Sequence, residues 1–298
     1  MILNISGRTD IVAFYSDWLI NRLNAGFIDV RNPFSKNMVS RIMLEDVDLL
    51  FFCTKNPTPI LGKLKDIKKK VYFHVTLTPY KKDIEPGIPS KKQIIESIKK
   101  LSALIGKDNI VIRYDPIFIN EYYNIEYHTL AFERICQLLS GYVSKILIHF
   151  IDDYKNVRKN YQYLRYKKLD LDDYKKIGES FGKIARDNNI SVHTCNQEFD
   201  FTEYGFIKDE CLSKELALKL TGKNYKKKWS ARKNLACNCV EMVDIGVYNS
   251  CKHFCKYCYA NYDEKIVNYS YENHDPNSSL LIGQLSDDDI IKVRKNDK

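Results

Sequence analysis

The chain has 298 residues, of which 44% are hydrophobic and 29% are charged, a composition typical of a soluble globular protein. No run approaches the roughly 18 apolar residues of a membrane-spanning helix, and the segment MILNISGRTD lacks the basic and apolar regions of a secretory signal. We therefore expect a cytoplasmic protein. The net charge of +9 is compatible with an anionic partner such as nucleic acid, although AT-rich coding sequence also produces such lysine-rich composition.

Apolar segments alternate with amphipathic segments along the chain. The apolar segments predict strands at 2–5, 48–53, 71–77, 110–114, 145–151, 190–195 and 243–248. The amphipathic segments predict helices at about 12–25, 58–69, 90–105, 125–140, 154–165, 171–187 and 213–221. Residues 27–31 and 38–43 flank the sequence RNPFSKN, which predicts a hairpin or loop. The tail from Glu272 is expected to be surface coil with a short end helix.

The succession of strand–helix units predicts a parallel sheet with right-handed crossovers. Polar residues follow almost every predicted strand, among them Arg8, Asp10, Lys55, Asp115, Asp152 and Glu198. The carboxyl ends of barrel strands converge on one mouth, whereas an open sheet would gather fewer of these side chains. We therefore expect an α/β fold with a TIM-like, partial barrel of about six to seven parallel strands. Residues 1–199 would form its strand–helix core, and residues 200–298 a cysteine-rich segment that completes the barrel.

Nine cysteines are present, and five of them lie within residues 237–258. In a reducing compartment such clustering favours metal binding over disulfides. Cys53 and Cys136 lie in apolar surroundings and are expected to be buried core thiols.

The densest cysteine group is Cys251, Cys255 and Cys258, with the spacing C-x3-C-x2-C and Tyr257 before the last cysteine. Three thiolates at this spacing can hold one face of a 4Fe-4S cluster. Three protein ligands leave one iron open, as catalytic metal sites keep one position free. The alternative is a zinc site with a fourth ligand such as Cys237, Cys239 or His253.

This loop resembles the signature of the radical S-adenosylmethionine (SAM) superfamily, in which the motif follows the first barrel strand. Further segments resemble an uncharacterised bacterial family that carries the motif near the C-terminus instead, distantly like spore photoproduct lyase and DNA-repair photolyase-like proteins. These segments are SGRTD at 6–10, RNPF at 31–34, TKNP at 54–57, RYDP at 113–116, and CNC followed by DIG and the cysteine motif.

The resemblance implies a circularly permuted radical SAM barrel, with the strand at 243–248 beside the first strand. It also implies an open iron that chelates SAM, reductive cleavage of SAM to a 5′-deoxyadenosyl radical, and hydrogen abstraction from a substrate. Flavodoxin or ferredoxin would be the electron donor. The candidate cofactor-binding residues are Ser6, Gly7, Arg8, Asp10, Thr78 and Tyr257. The candidate catalytic residues are Lys55, Arg113 and Asp115.

The SGRTD segment is assigned to cofactor binding because of its position along the chain. In the superfamily this place carries a Gly-Gly-Glu motif, and here only Gly7 matches, with Asp10 as an acidic substitute. A glycine lets backbone approach a ligand closely. The alternative is a strand-to-helix turn in which Thr9 or Asp10 is the N-cap.

A second set of thiols consists of Cys195, Cys211, Cys237 and Cys239. If they meet, they can ligate an auxiliary four-iron cluster or one structural zinc ion. Unligated core thiols are the alternative.

The segment from Lys219 to Lys233 carries seven basic residues and no acidic one, with Tyr225 and Trp229 between them. Basic charge with interleaved aromatic rings is typical of nucleic-acid binding, and a solvated surface segment is the alternative. Two other functional classes remain open. One is a non-catalytic, zinc-containing nucleic-acid-binding protein, and the other is an iron–sulfur protein for electron transfer or redox sensing.

Overall fold

Among the residues that the structure describes, all seven predicted strands are present, and four further strands accompany them. The strand predicted at 243–248 is shorter than expected and covers only Val243–Asp244. The structure is a computed structural model that describes residues 1–35, 37–226 and 238–295. In chain order the strands are β1 (Ile2–Ile5), β2 (Phe27–Arg31), β3 (Met38–Met43), β4 (Leu49–Thr54), β5 (Lys70–Thr76), β6 (Ile110–Ile117), β7 (Lys145–Phe150), β8 (Ser191–Thr194), β9 (Ile207–Lys208), β10 (Val243–Asp244) and β11 (Ile290–Val293).

Most helices lie within a few residues of their predicted bounds. They are α1 (Ile11–Phe14), α2 (Ser16–Ala25), α3 (Lys91–Ile105), α4 (Ile125–Leu139), α5 (Lys155–Lys159), α6 (Tyr161–Leu164), α7 (Leu171–Asp187), α8 (Lys214–Thr221) and α9 (Glu264–Glu272). Short 3₁₀ helices occur at Leu44–Asp46, Thr58–Asp66, Lys107–Asn109 and Thr202–Tyr204. The predicted cap of α3 is confirmed, because the Ser90 side chain accepts from the Gln93 backbone amide in a capping box.

Four helix predictions need correction. The predicted helix at 12–25 is interrupted at Tyr15, and the one at 154–165 is interrupted at Asn160. The predicted helix at 58–69 is a 3₁₀ segment, Thr58–Asp66. The predicted end helix of the tail is instead β11, which pairs parallel with β3; its β-branched residues favour a strand.

Eight strands form one parallel sheet in the order β10-β1-β4-β5-β6-β7-β8-β9. As predicted, the strand from the C-terminal segment lies beside the first strand, with Leu3 opposite Val243. No pairing joins β9 to β10 within the described ranges, so the sheet has two edges there. The predicted hairpin is confirmed as the antiparallel pair β2–β3, which forms a separate three-stranded sheet with β11.

The two faces of the large sheet are covered differently. One face carries residues such as Phe52 and Ile112, and α1 to α4 and α7 pack against it in the main hydrophobic core. The opposite face carries Phe51 and Val111, and its smaller cluster is completed by α8 and by the segment around Val240. We call this second side the inner face. The crossover helices therefore lie on one side of the sheet, and the C-terminal segment covers the other.

Candidate functional site

The cysteine loop, residues 245–262, begins directly after β10 at the carboxyl edge of the parallel sheet. This is the edge where ligands bind in parallel α/β proteins. Side chains from after β7 hold the loop backbone: Asn156 Nδ2 donates to the Tyr259 carbonyl at 2.8 Å, and Asn160 Nδ2 donates to the Lys256 carbonyl at 2.7 Å. The segment after β7 thus holds the loop against the sheet edge.

Asp10 connects the cysteine loop to the first two strands of the core. Its Oδ1 accepts from the Ala13 amide at 2.9 Å, so it is the N-cap of α1. Its Oδ2 accepts from the Lys55 amide at 2.7 Å and from His253 Nε2 at 2.8 Å. The carboxylate of Asp10 therefore serves both as a helix cap and as the anchor of the loop between Cys251 and Cys255.

The cysteine loop also packs on backbone at Gly87. The Gly87 amide donates to the His253 carbonyl at 2.9 Å. A Cβ at position 87 would lie 2.2 Å from the Lys252 carbonyl oxygen and 2.7 Å from the His253 Cα. Contact at this range requires glycine, because no side chain fits between the two backbones.

Asp244, at the end of β10, organises the SGRTD turn that follows β1. Its Oδ1 accepts from Ser6 Oγ at 2.9 Å, and its Oδ2 accepts from the Gly7 amide at 2.8 Å. Arg8 Nη2 donates to the Asp244 carbonyl at 2.6 Å, and Tyr259 OH donates to the Gly7 carbonyl. Three of the candidate SAM-binding residues are thereby brought against the start of the cysteine loop.

The three thiols of the cysteine loop are half-buried, in surroundings that disfavour their charged forms. Burial raises the pKa of Cys251 well above its ordinary value, that of Cys255 to about 12, and that of Cys258 in the same direction. Each thiolate would also repel its neighbours, whereas Lys55 favours the thiolates of Cys255 and Cys258. A bound cationic metal centre would relieve this cost, so the donor set fits an iron–sulfur cluster.

The spacing of these thiols differs from that of a single-ion site. Among the described residues, the only three ligand atoms within 4.8 Å of one another belong to another set, Cys195, Cys211 and Cys239. At least one pair of thiols in the cysteine loop is therefore more than 4.8 Å apart.

A buried carboxylate, Glu85, joins three of the candidate residues beside the thiols. It accepts from Thr78 Oγ1 at 2.6 Å, from Lys55 Nζ at 3.0 Å and from the hydroxyl of Tyr257. Burial alone would raise the pKa of Glu85, but Lys55 and Lys91 lower it to about 2. The Lys55 ammonium also lies 5.2 Å from the centre of the Tyr257 ring. Lys55, Thr78 and Tyr257 are thus brought together, around an acid that the sequence analysis missed.

Arg113 and Asp115 form a second charged group, on the inner face. Arg113 Nε donates to Asp115 Oδ2 at 3.0 Å, which supplies the partner that this half-buried arginine needs. Arg113 Nη1 donates to Cys211 Sγ at 3.0 Å and lies 3.5 Å from His74 Nδ1. Burial, and then Arg113, lower the pKa of His74 to about 3, so its ring is neutral.

The second cysteine set is only partly described. Cys195 follows β8, Cys211 follows β9 and Cys239 precedes β10, and their sulfur atoms converge within 4.8 Å. Cys237 lies outside the described residues. The two remaining thiols were both expected to be buried in the core. Cys136 is buried in the main core, whereas Cys53 is only half-buried, on the inner face.

The basic segment is described only as far as residue 226, so Trp229 and the lysines that follow lie outside the described ranges. Its first part is tied to the sheet. Lys223 Nζ lies 2.6 Å from Asp48 Oδ1, and Tyr225 OH donates to Asp48 Oδ2 at 2.8 Å. Among the described helices, none is long and apolar enough to cross a membrane.

Sequence reasoning missed Glu85, Gly87 and Asp244 as site residues. The DIG sequence that contains Asp244 was noted, but its side chain acquires a role only once β10 pairs with β1. Glu85 and Gly87 lie in the long segment between β5 and α3, several residues beyond the end of the strand, and only the folded chain places them against the cysteine loop.

Comparison with known proteins identifies a family without assigning an activity. No curated protein gives a significant match to the chain. A family model described as a domain of unknown function, DUF1848, matches residues 2–260, which include the cysteine loop up to Ala260. The match covers most of the chain, and the protein therefore belongs to the DUF1848 family.

Proposed function

We propose that this protein is a radical SAM enzyme with an unidentified substrate. The observation that carries the proposal is the C-x3-C-x2-C loop at the carboxyl edge of an eight-stranded parallel sheet, with three half-buried thiols that are not all within 4.8 Å of one another. Each iron of a cubane cluster takes its own thiolate, so ligands at separate corners suit such spacing. Cys251, Cys255 and Cys258 would hold the 4Fe-4S cluster. When bound, the cluster supplies the electron that cleaves SAM to a 5′-deoxyadenosyl radical.

The fold is consistent with a permuted partial barrel. β10 lies beside β1, so the cysteine loop follows a strand that adjoins the first strand of the chain. The crossover helices cover one face of the sheet only, whereas a doubly wound sheet has helices on both faces. We infer that the sheet curves as a TIM-like partial barrel around its inner face, in the arrangement of a circularly permuted radical SAM barrel.

The candidate residues would act from two sides. Ser6, Gly7 and Arg8 form a turn held by Asp244, which can present backbone to SAM. Asp10 acts by holding the loop, and Thr78 and Tyr257 keep Glu85 and Lys55 beside Cys255.

On the substrate side, Arg113 and Asp115 would orient a polar substrate group on the inner face. Lys55 would offer a positive charge, or a proton at Nζ, near the thiols. These groups bind and orient, and the radical chemistry belongs to the cofactor. The protein would act in the cytoplasm with a flavodoxin or ferredoxin as electron donor, and a nucleic-acid substrate would contact Lys219–Lys233.

The proposal is tested by anaerobic purification, iron and sulfide quantitation, and electron paramagnetic resonance of the dithionite-reduced protein. We expect about four irons per chain, a signal that changes when SAM is added, and loss of both in Cys251→Ala. Cys136→Ala, which removes a buried thiol from α4, is the control and should keep both. A cluster indifferent to SAM would indicate electron transfer or redox sensing. An iron-free protein would favour a zinc-containing nucleic-acid-binding protein, and either result would overturn the proposal.

A further inference from the structure

We propose that Cys195, Cys211 and Cys239 bind one zinc ion rather than a second iron–sulfur cluster. The inference is independent of the proposed function, because it concerns other cysteines and rests on their spacing. The sulfur atoms of Cys195 and Cys211 are 3.8 Å apart, and all three sulfur atoms lie within 4.8 Å of one another.

That spacing matches a single tetrahedral ion. Zinc–sulfur bonds of about 2.3 Å in a tetrahedral arrangement place two thiolates about 3.8 Å apart. A cubane cluster puts each thiolate on a different iron atom, so its ligands are further apart than the ligands of one ion. The three thiols would have to move apart to hold a cluster, whereas they can bind a zinc ion in their present positions.

The site is built from parts of the chain that are distant in sequence. Cys195 comes directly after β8, Cys211 comes from the segment after β9, and Cys239 comes from the segment before β10. Cys195 and Cys239 are buried, and Cys195 and Cys211 belong to the hydrophobic cluster on the inner face. Convergence of three thiols from three segments is unlike the chance proximity of neighbours in one loop.

A charged side chain is already directed at the site. Three thiolates on one Zn²⁺ carry a net negative charge, which needs compensation in a buried place. The Arg113 guanidinium donates to Cys211 Sγ at 3.0 Å. Hydrogen bonds of this kind to the ligands orient them and tune the metal. Arg113 in turn contacts Asp115, so the ion would also fix a candidate substrate-binding pair.

The role that follows is structural. Zinc at this position would hold the segments after β8 and β9, and the segment before β10, against the inner face. The fourth coordination position is not assigned by the described residues. Metal binding at such a site contributes to folding, because the ligands are not gathered in the unfolded chain.

The inference is tested on the anaerobically purified full chain by elemental analysis and by X-ray absorption at the zinc edge. We expect about one zinc per chain with three or more sulfur neighbours at about 2.3 Å. About eight irons and no zinc would overturn the inference, and so would zinc bound by nitrogen and oxygen alone. This measurement uses the unaltered protein, so it does not depend on a variant that folds.

Variants locate the ion. Zinc should fall at least tenfold in Cys195→Ala and Cys239→Ala, be retained in Cys239→His, and be unaffected in the control Cys136→Ala. Zinc should also persist in Cys251→Ala, whose iron is expected to be lost. Zinc that survives in the Cys195→Ala/Cys239→Ala double variant would contradict the site. Failure of the proposed function would instead appear as missing iron, or as no response to SAM, while zinc remains bound.

Discussion

Asp10 Oδ2 accepts a hydrogen bond from His253 Nε2 at 2.8 Å, although the two residues are 243 positions apart in the chain. Both side chains are buried. The contact ties the turn after the first strand to the loop that carries Cys251, Cys255 and Cys258. Because the same carboxylate oxygen also accepts from the Lys55 amide, the loss of one acceptor would loosen three strand ends together.

The first prediction concerns this carboxylate. Asp10→Asn keeps the size of the side chain, and the amide oxygen can still cap α1 as Oδ1 does. The amide NH2 group then takes the place of Oδ2, where it cannot accept a hydrogen bond. We expect a loss of about 1–3 kcal/mol in the free energy of unfolding, the cost of leaving buried donors without a partner, together with reduced iron binding. Urea denaturation measures the first effect. Asp17→Asn, at an exposed position of α2, is the control, and an equal effect in both variants would contradict the role of Asp10.

The second prediction concerns the close contact at Gly87. Gly87→Ala would place a methyl group 2.2 Å from the Lys252 carbonyl oxygen, so the cysteine loop must move. We expect destabilisation of about 1–3 kcal/mol, as for other overpacked sites, and less iron after reconstitution. Gly62→Ala is a matched control because no atom of the described residues, apart from its own chain neighbours, lies within 4 Å of the added methyl group. Thermal unfolding measures the stability of both variants, and metal analysis measures their iron content. If Gly87→Ala changed neither quantity, the loop would not depend on this contact.

The third prediction concerns the pH dependence caused by Glu85. Its pKa is about 2 in the folded protein against an ordinary value of 4.5. Because the folded value is the lower one, the carboxylate stabilises the protein fully above about pH 4.5, and this contribution is lost as the pH falls towards 2. A shift of this size corresponds to about 3 kcal/mol.

Glu85→Gln should therefore lower stability near pH 7 by a few kcal/mol, because Lys55 and Lys91 lose their buried partner. It should also flatten the decline of stability between pH 4.5 and 2. Denaturation over this pH range measures both. Glu96→Gln, on the exposed side of α3, is the control and should leave the profile unchanged. If the stability of Glu85→Gln fell between pH 4.5 and 2 as steeply as that of the unaltered protein, Glu85 would not be the source of the decline.

The fourth prediction concerns the basic segment as a nucleic-acid contact. If Lys227 and Lys228 contact phosphates of a duplex, Lys227→Glu/Lys228→Glu should weaken binding at every sequence. It should also reduce the slope of log affinity against log salt by about 2. The control Lys175→Glu/Lys176→Glu makes the same charge change on the exposed surface of α7. Fluorescence anisotropy with a labelled duplex over a salt series provides the measurement, and equal slopes in both variants would argue for general charge attraction.

Local pattern was sufficient for the strands and for most helices of this protein. Strands such as β4 and β5 are continuous apolar runs because they are buried on both faces, and burial of that kind is visible in composition. The C-x3-C-x2-C spacing likewise identified its loop without knowledge of the fold. The short strand β9, the interruption at Tyr15 and the strand β11 left weaker signals, because two to four residues carry little periodicity.

The sequence by itself determined the alternation of strands and helices, the parallel sheet, and the two groups of cysteines. Only the tertiary structure decided which side chains meet: Asp10 with His253, Asp244 with Ser6 and Gly7, Glu85 with Lys55, and Cys195 with Cys211 and Cys239. Strand periodicity reports burial along one segment, whereas contacts between distant segments depend on the order of strands in the sheet. That order places β10 beside β1, and it brings residues from both ends of the chain to one edge.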